Sequence, residues 1–374
     1  MNDKKTPSYW DYLKLDGLLS LQGGLTDDEA DVSPDELHFI IVHQCYELWF
    51  KGVLAELRAA RDILLVDPVP ESDIPRVVAH FDRVIAIIRL AVDQFRVMET
   101  LSPQGFLAFR DKLVPASGFQ SFQMRELEIL LGLKVEEREE YESAHALEHL
   151  ERTAKRSESS ARAWARIEAT AAEPSLLVAL SQWLYRTPIR GSTPGKPDDE
   201  QVVASFVSDY LAAADAEAGR FLARMGEIPG RDTEPVRAGQ AASAESNRAF
   251  LAAEDLPKEE RPRARRIRAG VLFIESYREL PLLAWPRTLL DKVAETEEEL
   301  VIWRHRHARM VERTIGRRVG TGGSSGVDYL DRTTAHRIFT DLWAVRTLLL
   351  RSEAVPPLPD EGTYRFAAEE NENE

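Results

Sequence analysis

Apolar residues recur along most of this chain at intervals of three and four, the period of helices that bury one face. Alternating apolar and polar runs joined by tight-turn pairs, the mark of β-hairpins, are absent. The pattern predicts an all-α protein, a large helical bundle. Ser33-Pro34-Asp35-Glu36 reads as a capping box with proline at the first helical position. The helix that follows should run to about Leu65, and its apolar residues lie on nearly all sides, as in a buried helix. A second helix is expected over Ile74 to Glu99. Ser102-Pro103 repeats the cap-plus-proline start and opens a third, to about Leu113, before Pro115-Ala116-Ser117-Gly118 breaks the pattern. Further helices are expected from Phe119 to Leu133, from Thr296 to Gly316 and from Thr333 to Leu350.

Residues from Lys134 to Gly270 are less distinctive. They are rich in Ala, Arg and Glu, read as helices with exposed faces, and are punctuated by proline and glycine near Gly191 to Pro197 and Gly226 to Pro235. The end, Glu369 to Glu374, is acidic and free of apolar residues. The expected organisation is one helical domain over 1–355, with motif-rich segments at 8–133 and 296–335, followed by a disordered tail over 356–374.

Composition narrows the class. The chain has 374 residues, 44% apolar and 30% charged, which suits an ordinary globular protein. Its net charge of −15 argues against general nucleic-acid or membrane binding. The basic cluster Arg261 to Arg268 (Arg-Pro-Arg-Ala-Arg-Arg-Ile-Arg) reads as a solvated face or a subunit contact. Cys45 stands alone, cannot form an internal disulfide and suits a reducing, cytoplasmic setting; it reads as a buried packing residue. No apolar run reaches the roughly 18 residues of a membrane span, and no signal peptide is expected at the N-terminus.

Two histidines carry the candidate chemistry. Trp303, His307, Met310, Val311 and Thr314 share one helical face, so His307 should turn inward while His305, two residues away, turns outward. An inward histidine is either a hydrogen-bonded packing residue or a neutral imidazole ligand such as the proximal ligand of a haem. His43 lies on a similar stripe with Phe39, Tyr46 and Phe50, without the carboxylates of a non-haem metal site. Arg110 falls on an aromatic face with Phe106 and Phe109, where its charge calls for an anion: an internal carboxylate or the carboxylate of a substrate. Gly320-Thr321-Gly322-Gly323-Ser324-Ser325-Gly326 can turn several backbone N–H groups towards an anion, or be a plain surface loop; it lacks the Gly-Lys-Ser/Thr of a P-loop. His145 and His149, at i and i+4 among glutamates, read as an exposed helix face.

Several blocks together resemble the tryptophan 2,3-dioxygenase family, within the haem-dependent aromatic oxygenases. They are Tyr9-Trp10-Asp11-Tyr12-Leu13-Lys14-Leu15-Asp16, Phe39 to Lys51, Phe109-Arg110 with Pro115 to Ser121, Arg306-His307, Val311-Glu312-Arg313, Ile315-Gly316 and Gly320 to Gly326. A weaker match surrounds Trp183-Leu184-Tyr185-Arg186-Thr187-Pro188. The resemblance implies an all-helical haem b enzyme, a homotetramer, that adds O₂ across the indole C2–C3 bond of L-tryptophan to give N-formyl-kynurenine. It implies His307 as the iron's axial ligand and His43 as acceptor of the indole N–H. Phe39 and Phe106 become pocket walls, Arg110 the carboxylate partner, Thr321 a contact to the ammonium and carboxylate groups, and Ser117 a pocket serine near the haem. Tyr9 and Tyr12 fall on a segment that reaches a neighbouring subunit's site. The chain departs from the family pattern at Pro34, usually His; at Met124, usually aromatic; and at Asp331, often Arg. Relatives that act on substituted tryptophans and insert a single oxygen atom make a monooxygenase the rival reading.

Overall fold

The computed structural model describes residues 7–114, 121–133, 157–320 and 326–365, with 147, 151, 152, 154 and 155 besides. Among these every regular element is helical, and the sole β-bridge is an isolated one between Ile189 and Ser192. In chain order the helices are α1 (Tyr9–Leu13), α2 (Leu15–Leu18), α3 (Pro34–Leu64), α4 (Ile74–Met98), α5 (Pro103–Phe109), α6 (Phe122–Leu131) and α7 (Glu158–Ala171). Then come α8 (Leu176–Tyr185), α9 (Asp199–Gly226), α10 (Glu234–Leu251), α11 (Arg261–Ser276), α12 (Ala284–Ile315), α13 (Val327–Thr333) and α14 (Thr340–Leu348).

Two of the expected starts form as the sequence reads. The Ser33 hydroxyl accepts the Glu36 N–H at 3.2 Å and the Ser102 hydroxyl accepts the Gly105 N–H at 3.0 Å, each just ahead of a proline that opens the helix. The capping box is only half made, because the buried Glu36 carboxylate turns instead to the Lys112 ammonium at 2.6 Å. The third helix tightens at Arg110 into a 3₁₀ turn ending at Leu113.

The chain divides into two compact units. The first holds 1–57, 83–173 and 298–336; the second holds 58–82, 174–297 and 337–374. In the first, Val53, Leu54, Leu57, Phe95 and Leu127 are buried, and α6 packs on α7. In the second, α11 packs on both α8 and α14, and Phe206, Tyr210 and Phe273 form an aromatic core. Gly270 permits the α8–α11 contact: a Cβ there would stand 3.1 Å from the Leu184 carbonyl oxygen and 3.2 Å from Thr187.

Several expectations are corrected. The helix expected from Thr296 starts at Ala284, with Pro286 in its first turn, where a missing N–H costs nothing. The helix expected from Thr333 to Leu350 is confined to α14, since α13 ends at Thr333 and 334–339 are not helical. The basic cluster is not a solvated face throughout: Arg266 is 5% exposed and Arg268 4%. Arg266 donates to the carbonyl oxygens of Tyr185 (2.8 Å), Thr187 (2.9 Å) and Ser192 (3.3 Å) and pairs with Asp199 at 3.1 Å. Arg268 pairs with Asp255 at 2.6 Å and Asp341 at 3.1 Å. Cys45 is half-buried rather than buried. Order extends past 356, since Tyr364 is buried and its hydroxyl donates to the Pro188 carbonyl at 2.7 Å; residues 366–374 lie outside the described ones. His145 and His149 also lie outside them.

Candidate functional site

Within the first unit, α3, α5, α6, α12 and α13 surround a cavity of about 660 Å³, a volume suited to a cofactor with a small substrate. His43, Phe39, Phe106, Arg110 and His307 all line it, so residues far apart in sequence converge. Most of its walls are apolar: Phe50, Met98, Trp303, Met310, Val311 and Ile315 contribute.

His43 projects from the middle of α3. Its Nδ1 lies 2.8 Å from the Phe39 carbonyl oxygen one turn earlier. A carbonyl oxygen only accepts, so this contact assigns the proton to Nδ1 and leaves Nε2 as an acceptor. The ring is open to the cavity yet closely surrounded by protein. Burial lowers its pKa; the Phe39 hydrogen bond and the Glu47 charge oppose that without reversing it, so the imidazole is neutral. Phe39 packs on it with ring centroids 4.0 Å apart, and Phe39, Phe106 and Phe109 form an aromatic cluster at 5.4–5.7 Å.

His307 sits on α12 in an aromatic setting. Its ring lies parallel to Phe95 at 5.9 Å and tilted against Trp303 at 5.1 Å. Burial, reinforced by His43, pushes its pKa down to about 4, so it too is neutral. His305 is exposed, as the helical spacing predicts. Among the described residues neither ring nitrogen of His307 has a hydrogen-bond partner. A packing histidine would have one. Nor do three His, Cys, Asp or Glu side chains come together as a metal cage among the described residues. An iron already held by a porphyrin needs a single neutral imidazole from the protein, and His307 fits that need.

Arg110 answers the alternative its sequence context left open. No carboxylate pairs with it among the described residues; its Nη2 donates to the Val319 carbonyl at 2.6 Å, just ahead of the glycine loop, and its other donors are free there. Gly326 closes that loop with φ +64°, and a Cβ there would meet the Arg318 carbonyl oxygen at 2.8 Å.

Other sequence candidates stand elsewhere. Tyr9 and Tyr12 are 75% and 76% exposed on α1 and do not line the cavity. Ser117 and Thr321 lie outside the described residues. Of the departures, Met124 is a buried part of the cavity wall, Pro34 opens α3, and Asp331 accepts from Arg309.

The sequence reading missed a polar group in the same wall. Arg125 pairs with Glu128 at 2.8 Å, Arg304 reaches the same carboxylate at 3.2 Å, and the Tyr329 hydroxyl accepts from Arg125 at 3.4 Å. Arg125 and Glu128, three apart on α6 and so on one face of it, were the available signal. Glu47 and Gln123 also went unread; the Gln123 amide donates to the Glu47 carboxylate at 2.7 Å.

The sequence model of the family described as Tryptophan 2,3-dioxygenase matches residues 2–349. A protein of Ralstonia nicotianae named tryptophan 2,3-dioxygenase 2 is 48% identical over 98% of this chain and 99% of its own length. One of Sorangium cellulosum named tryptophan 2,3-dioxygenase is 46% identical over 98% of this chain and 89% of its own. An Anopheles gambiae protein of the same name is 33% identical, covering 94% and 88%.

Proposed function

Because the chain belongs to the tryptophan 2,3-dioxygenase family, we propose that it adds both atoms of O₂ across the indole C2–C3 bond of L-tryptophan, giving N-formyl-L-kynurenine. Every atom of both reactants is retained in that product, so no external reductant enters the balance.

The observation that carries the reading is the pairing, in one apolar cavity, of a neutral partnerless histidine with a second histidine whose acceptor nitrogen is fixed. His307 would hold the haem b iron through one ring nitrogen. Ferrous haem, when bound, supplies the binding and activation of O₂. The chain's own residues orient the substrate. His43 accepts the indole N–H at Nε2, Phe39 and Phe106 wall the ring, and Arg110 takes the carboxylate on its free donors. The apolar walls keep water from the reacting ring. Thr321 meets the amino acid head and Ser117 stands near the haem; both assignments rest on the family resemblance alone.

Assembly as a homotetramer, with Tyr9 and Tyr12 reaching a neighbouring subunit's site, is supported by the bare aromatic surface of α1. No described helix is long and apolar enough to cross a membrane. A cytoplasmic setting rests on the lone cysteine.

The test is product mass. Haem-loaded protein, reduced without oxygen and then given L-tryptophan and ¹⁸O₂, should form a product carrying two heavy oxygens. A product with one would overturn the dioxygenase reading in favour of a monooxygenase. Absence of a Soret band after haem loading would overturn the haem assignment.

A further inference from the structure

The Glu47 side chain lines the cavity, and nothing in the proposed reaction uses it. It stands one turn beyond His43 on α3, on the same face, and its charge is felt at the His43 ring. The buried Gln123 side chain tethers it: Nε2 donates to the Glu47 carbonyl oxygen and to its Oε2, each at 2.7 Å. Both of those atoms only accept, so the orientation of the amide is settled and both its hydrogens are spent. Glu47 Oε1 and the Gln123 side-chain oxygen are left as two acceptors with no donor among the described residues. A carboxylate oxygen facing a mostly apolar cavity without a donor is an open seat for one. Met124, next to Gln123 in the wall, is a pliable thioether where the family pattern has an aromatic ring, and it yields to a substituent.

The geometry points to the Glu47–Gln123 corner as a subsite for a hydrogen-bond donor on the substrate ring: a tryptophan carrying a hydroxyl or amino group at C6 or C7. This rests on the tryptophan pose proposed above, in which Arg110 takes the carboxylate and His43 the indole N–H. Arg110 belongs to the Phe39 side of His43, because Phe39 packs on Phe106 and Phe109 of the helix that ends at Arg110. Glu47 lies one turn the other way, about 5.4 Å further along α3. Beyond N1, on the side away from the C3 side chain, the indole presents C7 and then C6, so that edge is the one turned to Glu47. A donor there meets an ionised acceptor, the stronger kind of hydrogen bond.

The experiment is a Soret-shift titration of the full-length, haem-loaded, reduced protein without oxygen, so that ring reactivity plays no part. The ligands are L-tryptophan and its 4-, 6- and 7-substituted forms, each with a hydroxyl or with a methyl of similar size. An apolar wall prefers the methyl, because a hydroxyl loses its water there without return. Wild type should instead bind 6- or 7-hydroxytryptophan roughly tenfold or more tighter than the methyl counterpart, and should prefer the methyl at C4. In Glu47→Gln, which keeps an acceptor for Gln123 but not the charge, the hydroxyl preference should fall severalfold. The same preference at all three positions in wild type, in either direction, overturns the subsite, and this contrast serves even if the variant does not fold. A hydroxyl preference untouched in folded Glu47→Gln also overturns it; in both cases binding of L-tryptophan still stands. No Soret shift with L-tryptophan itself overturns the tryptophan reading instead.

Discussion

Replacing Arg110 by alanine tests the substrate clamp most directly. The guanidinium lines the cavity with no carboxylate partner among the described residues, so its deletion leaves no internal acid stranded. The fold loses one contact to the Val319 carbonyl, about 1 kcal/mol, and should survive. Truncating one partner of a desolvated charge pair costs ~2–5 kcal/mol. Arg110 is half-buried, so the lower part of that range applies, ~2–3 kcal/mol, or roughly 30- to 150-fold in Kd. The assay is titration of haem-loaded protein with L-tryptophan and, in parallel, with tryptamine, which keeps the indole and ammonium but lacks the carboxylate. Wild type should prefer L-tryptophan strongly, and Arg110→Ala should bind the two alike. If the variant weakens both ligands by the same factor, the guanidinium serves the protein and not the carboxylate, and the reasoning fails.

Three other outcomes follow from the contacts described. His43→Ala removes one neutral hydrogen bond to the indole and should raise KM roughly two- to tenfold, with turnover reduced but not abolished; wild-type kinetics would remove His43 from the mechanism. Arg266→Met removes the cation beside Asp199 and a donor from each of three carbonyl oxygens in the second unit and should cost ~3–5 kcal/mol by urea denaturation, whereas a loss under about 1 kcal/mol would mean that water replaces the guanidinium freely. Burial raises the Glu275 carboxyl above its ordinary 4.5, with Asp291 adding to the rise and Arg346, Arg278 and Arg287 opposing it. Its folded form therefore costs nothing below the unfolded value, and stability is lost as pH climbs through the folded one. Glu275→Gln should match wild type near about pH 4 and melt higher at about pH 7; an equal Tm difference at both would contradict the shift.

The parts of the fold that could be read in the chain are those with local punctuation. Ser33-Pro34 and Ser102-Pro103 each fix a helix start within one turn of sequence, and the 303–314 stripe turns His307 inward and His305 outward. What could not be read depends on partners distant in sequence. Arg266 and Arg268 look like surface charges because the groups that satisfy them belong to other elements: Tyr185 and Asp199 for Arg266, and Asp341 with the nearer Asp255 for Arg268. The same holds for Arg125, whose competitor for Glu128 comes from α12. The convergence of His43, Arg110 and His307 on one cavity was legible only through the family resemblance, since helical periodicity says which way a side chain points but not what it meets.

The hydrogen bond from His43 Nδ1 to the Phe39 carbonyl has a consequence for which heterocycles can occupy the cavity. The acceptor is a backbone atom of the same helix, so no side-chain replacement at position 39 removes it. The outward nitrogen is thereby left with a lone pair and nothing to give. A bicyclic ring that brings an N–H meets a complement there; one with oxygen or sulfur at that position brings lone pairs against a lone pair. Benzofuran and benzothiophene isosteres of tryptophan match its shape closely, and they would be turned away by electron repulsion, not by size.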